Sequence, residues 1–354
     1  YHPLTELPSD LNPNLADNII IGAALTEENE NPNRKVIVVS KDVNMRVICD
    51  SVGIPAADFK AEKVLDKDSE LYSGFKTVLV DDQVIDQFYL GEDVSLDEEI
   101  DAYANEFVML VSNSNEKKSA LSRYINPHMP LVKIANFKDG IWGVKARNKE
   151  QAFALDILMN PSIPIISLVG RAGCGKTLCA IAAGMEQCLG STDGNGYKKL
   201  IVSRPVQPMG KDIGFLPGTL EEKMIPWLAP IRDNLEFLMS GDKDTLDMYL
   251  ERGIIEIEAL TYIRGRSIAN AFIIIDEAQN LTSHELKTII TRVGENTKII
   301  LTGDIEQIDN AYIDQSSNGL TYAVEKFKFY DLSGHVTLRR GERSKVATLA
   351  AKIL

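Results

Sequence analysis

The sequence predicts an α/β protein built on a parallel sheet with a phosphate-binding loop, and three observations predict it. SLVGRAGCGKTLCAIAAG (167–184) carries the spacing G-x-x-x-x-G-K-T between an apolar strand and a helical run. FIIIDEAQN (272–280) is a short β-branched run that stops on two carboxylates, Asp276 and Glu277, followed by Gln279. From about residue 144 onward, short apolar runs alternate with helical patterns, as strands buried on both faces of a parallel sheet do.

The chain has 354 residues, which suggests two or three domains at roughly 100–200 residues each. Residues 1–74 read as α/β. ADNIIIGAALTEE has a helical pattern, KVIVVS is a buried strand, and DVNMRVICDSVG is a helix ending at Gly53. Residues 75–143 change character: KTVLV, QFYL, EFVMLV, PLVKIA and GIWGV are short strand-like runs separated by polar connectors such as SNSNEKK. A small β domain is expected there, a barrel or a spacer. Residues 144–354 return to α/β alternation. IPIISLV, KLIVS, FIII and TKIILT give four strands, with GIIEIEAL as a candidate fifth.

The net charge of −13 argues against a nucleic-acid binder until its distribution is read. Residues 1–118 hold 10 Lys and Arg against 24 Asp and Glu, whereas residues 119–354 hold 28 against 27. The acidity belongs to the first third, so the overall charge does not exclude a local basic groove further on. No apolar run reaches the roughly 20 residues of a membrane helix, so no membrane partner is expected. YHPLTELPSD has neither the basic start nor the apolar core of a secretory leader. The four cysteines show no CxxC spacing, and a reducing, cytoplasmic location is expected.

The loop chemistry follows from the residue types. Gly170, Arg171, Ala172, Gly173, Cys174, Gly175, Lys176, Thr177 and Leu178 form the candidate nucleotide cradle. Glycines let backbone N–H groups turn inward around phosphate, and the helix N-terminus adds its dipole. Lys176 is placed for the β and γ phosphates, and the Thr177 hydroxyl for Mg2+. A second buried strand in such folds brings a carboxylate to the metal, the role open to Asp276. Glu277 is then placed to polarise the attacking water. Alone, an acid pair at a strand end is also an ordinary solvated terminus. IILTGDIEQID places Asp304 and Gln307 at a third strand end, where an amide can sense the γ phosphate; a GD turn capped by Gln307 is the plainer alternative. Gln151, at the start of the helix in ARNKEQAFALDIL, can donate to and accept from an adenine edge, or can be a surface amide.

Assembled, these segments resemble the PhoH family of P-loop ATPases, in the branch fused to an N-terminal PIN-type ribonuclease domain. The resemblance rests on RNKEQ, GRAGCGKT, SRPVQPMGKDIGFLPGTLEEKMIPWLAPIRDNLE, YIRGRS, IIIDEAQN, LTGDIEQID and HVTLRRGERS. The order of motifs is also similar to superfamily 1 helicases. It implies a helicase-like P-loop NTPase fold and Mg2+-dependent ATP hydrolysis coupled to single-stranded RNA. A homo-oligomer is implied too, with a six-membered ring as the family analogy. It carries Gln151 to the adenine, Lys176 to the phosphates, Thr177 and Asp276 to Mg2+, Glu277 to the water and Gln307 to the sensor. Arg339, Arg340 and Arg343 become candidates to offset phosphate charge in cis or in a neighbouring subunit; a basic helix start is the alternative. Arg204, Arg264 and Arg266 become candidates for RNA phosphates, although Arg204 could equally pin a loop.

ADNIIIGAAL and VSKDVNMR resemble the later part of a PIN domain, a partial PIN-like α/β domain. The resemblance gives Asp17 and Asp42, with Asn44, as ligands for Mg2+ or Mn2+ in a complete site. It places the first metal-binding Asp and the following acid upstream of Tyr1, and half a cage binds weakly. Helix N-capping is the alternative for both acids. Phe137, Trp142, Phe215 and Trp227 are candidate stacking aromatics for RNA, with core packing as the alternative. Two other readings stay open: an ATP-gated scaffold without unwinding, and a small-molecule kinase, which the water-activating DEAQ pattern disfavours.

Overall fold

The computed structural model describes residues 7–8, 11–40, 42–57, 64, 70–95, 100–190, 196–205, 220–260, 267–310 and 312–341, with the backbone alone at 220–225. The chain divides into two compact units, Tyr1–Lys63 and Val64–Leu354.

In the first unit, α1 (Ala16–Glu30) precedes β1 (Val38–Val39), α2 (Val43–Ser51) and β2 (Ala56–Ala57). The two short strands pair in parallel, Val38 opposite Ala56. Their core is Ile21, Val38, Met45, Cys49 and Ile54. The expected helices are present, and α2 gives way to the left-handed Gly53 at φ 84°.

The second unit begins earlier than residue 75. The Tyr72 backbone N–H donates to Glu325 Oε1 at 2.8 Å, and Ser73 O accepts from the Thr337 N–H at 2.9 Å. These anchor the chain to the large sheet before the middle segment starts. That segment is an open mixed sheet with a helix in it. It comprises β3 (Phe75–Val80), α3 (Asp82–Leu90), β4 (Phe107–Ser112), β5 (Ser119–Arg123) and β6 (Val132–Lys133). The strands lie in that order, with β3 parallel to β4 and the remaining pairs antiparallel. QFYL therefore belongs to a helix, a correction to the expected strand. Ile85 and Phe88 are three residues apart and both buried, the helical spacing that alternation in QFYL alone conceals. The barrel expectation gives way to this open sheet.

Nor is the middle segment a free spacer. Phe107 stacks on Phe153 at 4.3 Å between centroids. Arg123 Nε donates to Asp156 Oδ2 at 3.0 Å, and Arg123 Nη1 to Asn105 Oδ1 at 2.8 Å. Asn105 Nδ2 donates on to the Asp331 and Ser333 carbonyls. Removing one partner of a buried pair such as Arg123–Asp156 costs on the order of 3–5 kcal/mol.

The large sheet comprises β7 (Ile165–Gly170), β8 (Lys199–Arg204), β9 (Ile255–Ala259), β10 (Ala271–Ile275), β11 (Lys298–Gly303) and β12 (Ser333–Leu338). Its order is β12-β7-β11-β10-β8-β9, and every pair is parallel. The sequence predicts four of these strands and offers β9 as a candidate fifth; β12 is the sixth. Its mixed SGHVTL lacks an apolar run, and only burial between α4 (Lys149–Met159) and β7 makes it a core strand. Arg339, Arg340 and Gly341, which follow, leave the sheet as a loop, and no helix starts at Arg339 or Arg340.

Alternate side chains of these strands feed two cores. Ile166, Leu168, Phe272 and Ile274 enter one; Ile165, Val169, Ile273 and Ile275 enter the other. Helices α5 (Lys176–Met185), α6 (Leu220–Leu238), α7 (Lys243–Glu251), α8 (Ser283–Ile290) and α9 (Gly319–Phe327) complete this unit among the described residues. β11 lies between the loop strand β7 and the acid strand β10. That insertion positions the site.

Candidate nucleotide site

β7 ends at Gly170, and the chain turns through Gly173 (φ 83°) and Gly175 (φ 91°) into α5. Two left-handed positions so close together are available to glycine without strain, and they curl the backbone into an anion-accepting nest. The first-turn N–H groups of α5 lack intrahelical acceptors and point to the same place. Lys176 is buried, with its Nζ donating to the Gly170 carbonyl and, at 3.1 Å, to the Arg171 carbonyl.

Asp276 follows β10 and is buried. Its Oδ1 accepts from Thr177 Oγ1 at 2.8 Å and from Thr302 Oγ1 at 2.6 Å. One carboxylate thus ties the loop helix, the acid strand and the strand between them. Ser203 O, on the other neighbouring strand, accepts the Asp276 N–H at 2.8 Å.

Glu277 adopts the left-handed backbone conformation at φ 54°. That is unfavourable for a non-glycine residue and is found at sites where a side chain must be aimed. Its Oε1 lies 3.5 Å from Arg204 Nη2, and its Oε2 accepts from Gln279 Nε2 at 2.6 Å. Gln279 is fully buried and holds three segments together. Its Nε2 also donates to the Gln307 carbonyl at 2.8 Å, and its Oε1 accepts the Asp304 N–H at 3.2 Å. Gly303 permits this: a Cβ there would stand 2.3 Å from Gln279 Oε1. The GD of the third strand end is required by the DEAQ amide.

Asp304 in turn sets the loop. Its Oδ2 accepts the Ala172 N–H at 3.0 Å, so that amide is held by the protein. These groups converge on a cleft of about 240 Å3 lined by Ala172, Gly173, Gly175, Lys176, Thr177, Leu178, Arg204, Pro230, Asn234, Asp276, Glu277, Asp304 and Gln307. Of the candidates, the structure brings together Ala172, Gly173, Gly175, Lys176, Thr177, Leu178, Arg204, Asp276, Glu277, Asp304 and Gln307. Gly170, Arg171 and Cys174 frame the loop without lining the cleft. Arg171 pairs with Glu306 at 2.8 Å on the exterior, and burial raises the Cys174 thiol pKa above its ordinary value.

Gln151 is neither a surface amide nor open to the cleft. It is buried, its Nε2 donates to the Cys174 carbonyl at 3.1 Å, and its Oε1 accepts the Arg147 N–H at 2.8 Å. In this arrangement it braces the loop from behind. Arg204, set against RNA phosphates or a loop by sequence, faces Glu277 inside the cleft. Arg339 and Arg340 are exposed and line no part of it; their N–H groups donate to buried Glu150 Oε2 at 2.8 and 3.1 Å. Arg343, Arg264, Arg266 and Phe215 lie outside the described residues. Gln279 as organiser, Glu150, Thr302, Pro230 and Asn234 escaped the sequence reading. Only Gln279 carried a signal, its place in DEAQ.

In the first unit, Asp42 is the N-cap of α2, its Oδ1 accepting from the Asn44 and Met45 N–H groups at 2.7 and 3.4 Å. Asp17 is exposed in the first turn of α1. Among the described residues no group of three or more His, Cys, Asp or Glu could hold a metal ion. Asp17 and Asp42 are thus not gathered into such a group among the described residues.

A parallel sheet, a glycine-turned loop after one strand and a buried acid after a non-adjacent strand define a P-loop NTPase. Comparison with known proteins narrows the class. The chain belongs to the PhoH family: "PhoH-like protein" matches residues 143–353, and "PIN domain" matches residues 3–60. It is 47% identical over 346 residues to Protein PhoH2 of Bacillus subtilis, covering 96% of this chain and 77% of that one. It is 35% identical over 322 residues to Protein PhoH2 of Thermobispora bispora, covering 91% and 71%. Among solved structures, it is similar to the Pif1 helicase from Candida albicans (TM-score 0.31, 15% identity, 59% of this chain and 43% of that). It is also similar to the UvsW helicase from bacteriophage T4 (TM-score 0.30, 13% identity, 85% and 78%). Those scores are too low to carry weight. No helix among the described residues is long and apolar enough to cross a membrane.

Proposed function

We propose that this chain is a Mg2+-dependent ATPase whose turnover is coupled to binding and unwinding of RNA by a homo-oligomer. The observation that carries the hydrolytic part is Asp276, held by hydroxyls from both the loop helix and β11, with Glu277 beside it gripped on both carboxylate oxygens. A hydroxyl and a carboxylate suit a hard cation that keeps its other positions for water and phosphate. Bound there, Mg2+ would neutralise charge developing on the transferred phosphoryl group.

The chain's own residues do the rest. Lys176 leaves its two carbonyl partners for the phosphates. Glu277 orients and polarises water, its carboxylate kept in place by Gln279. Gln307, whose carbonyl is fixed by Gln279, presents its amide as the γ-phosphate sensor. Arg204 sits where it can exchange Glu277 for phosphate oxygen. Arg340 lies outside its own cleft, which favours a neighbouring subunit's cleft for its use as a charge-offsetting group. A six-membered ring would supply one. The RNA part rests on family membership, on the PIN match and on the absence of net acidity after residue 118.

The test is ATP hydrolysis by the purified chain with and without single-stranded RNA, with DNA alongside, at low and high salt. Salt-sensitive stimulation by RNA is the expected result. Hydrolysis indifferent to either nucleic acid, with nucleotide-dependent assembly, replaces this reading with an ATP-gated scaffold.

A further inference from the structure

A groove of about 570 Å3 runs between the four-stranded sheet and the start of α4. Five cations line it: Lys133, Lys138, Lys145, Arg147 and Lys149; no carboxylate does. That is unusual on a chain of net charge −13. All but Lys149 are exposed. The nearby acids are committed elsewhere. Asp156 accepts from Arg123 and from the Ala135 N–H, and Glu150 from the Arg339 and Arg340 N–H groups. Asp139 is the one acid within residues 133–149, against those five cations.

Tyr89 lines the same groove and is 57% exposed. Its hydroxyl donates to the Ser119 carbonyl at 2.8 Å, which anchors the ring, and Lys133 Nζ lies 5.5 Å from the ring centroid. Phe137 lines the groove as well. A cationic track with an anchored aromatic and a second ring half-buried beside it suits a single nucleic-acid strand: cations for phosphates, rings for unstacked bases. The N-terminus of α4 opens on the groove through Asn148 and Lys149 and adds its partial positive charge.

We propose that this groove binds the phosphodiester backbone of a single nucleic-acid strand, with bases stacking on Tyr89 and Phe137. It is two hydrogen bonds from the phosphate loop: the Arg147 N–H donates to Gln151, and Gln151 donates to the Cys174 carbonyl. A strand ordering Arg147 would bear on the amide that braces the loop. The assignment rests on the RNA-coupled reading above for its purpose, but binding itself can be measured without ATP.

The experiment uses the full chain without nucleotide, fluorescence anisotropy of a labelled oligouridine, an oligothymidine of equal length, and a salt titration. The Lys138→Gln/Lys145→Gln double variant is expected to weaken binding about tenfold and to flatten the log–log salt slope by about 0.7 per cation removed. Tyr89→Leu should weaken binding about tenfold with the slope unchanged, because stacking releases no counterions. Lys287→Gln, exposed on α8, should change neither. Thermal melting confirms that each variant is folded. The RNA and DNA arms say which backbone the groove prefers.

The proposal is overturned if the unmodified chain binds neither oligonucleotide, if the double variant keeps parental affinity and slope, or if it loses a fluorescent ATP analogue in the same proportion. The last result would give the groove to the nucleotide. Variants that lose the strand, in a chain whose ATP turnover ignores RNA, would keep the groove and remove the coupling.

Discussion

The cleft and the first unit both offer carboxylates at the ends of short elements, and they use them differently. Asp276 is met by hydroxyls 99 residues upstream and 26 residues downstream in sequence. Asp42 is met by N–H groups two and three residues along its own chain. The first arrangement exists only when helix α5 is assembled against the neighbouring strands β10 and β11. The second forms in any helix start, because the first N–H groups of a helix need an acceptor. A carboxylate gathered by long-range partners is held in place against the cost of burial, which favours a chemical role. One satisfied locally is a cap.

Four experiments break or sharpen that contrast. Lys176→Ala should reduce ATP hydrolysis to background, since Lys176 is the cation the loop helix itself carries to the phosphates and the other cation of the cleft, Arg204, is paired with Glu277. Normal turnover measured by phosphate release would remove the phosphate role. Glu277→Gln should lower kcat by about two to four orders of magnitude and retain ATP, because the amide keeps the shape but cannot accept the water's proton. A matching loss of ATP affinity would make Glu277 a binding ligand.

The third separates the units by pH. His335 is buried between Ser167 Oγ and Thr337 Oγ1, at 2.8 and 2.9 Å, and burial lowers its pKa from 6.5 to about 3. In that window the unfolded chain takes a proton that the folded chain refuses. The stability from keeping His335 neutral is therefore complete above pH 6.5 and is lost as pH falls toward 3, at up to about 1.4 kcal/mol per pH unit. Denaturant melts of the second unit should show this slope, and His335→Gln should flatten it.

The smallest effect is Asp42→Ala, which should destabilise the first unit by about 1 kcal/mol, with Asp42→Asn near neutral because asparagine also caps. Loss of a divalent-ion titration signal in Asp42→Asn would overturn the cap assignment and restore Asp42 to a metal site.

Much of the frame was legible from residues. The runs IPIISLV, KLIVS, FIII and TKIILT are buried strands because parallel strands covered on both faces carry continuous apolar runs. The GRAGCGKT turn was legible for the same local reason, since its glycines and its helix start are neighbours in sequence. Reading failed where burial is decided at a distance. QFYL is strand-like in composition, but Ile85 and Phe88 share a helical face. SGHVTL has no apolar run and is a strand because β7 and α4 cover it. The lysines of 133–149 look scattered until the four-stranded sheet is laid beside α4.

The sequence by itself determined the phosphate loop, the acid strand and the α/β class, because each depends on residues within about one turn or one strand of each other. The tertiary structure decided the rest. It inserted β11 between β7 and β10, gave Asp276 two hydroxyls, set Gln279 across three segments, turned Gln151 onto the loop and faced Arg204 toward Glu277. The physical reason is the same in each case. A hydrogen bond or ion pair between distant residues is specified by the packing of whole elements, and no local pattern encodes which elements become neighbours.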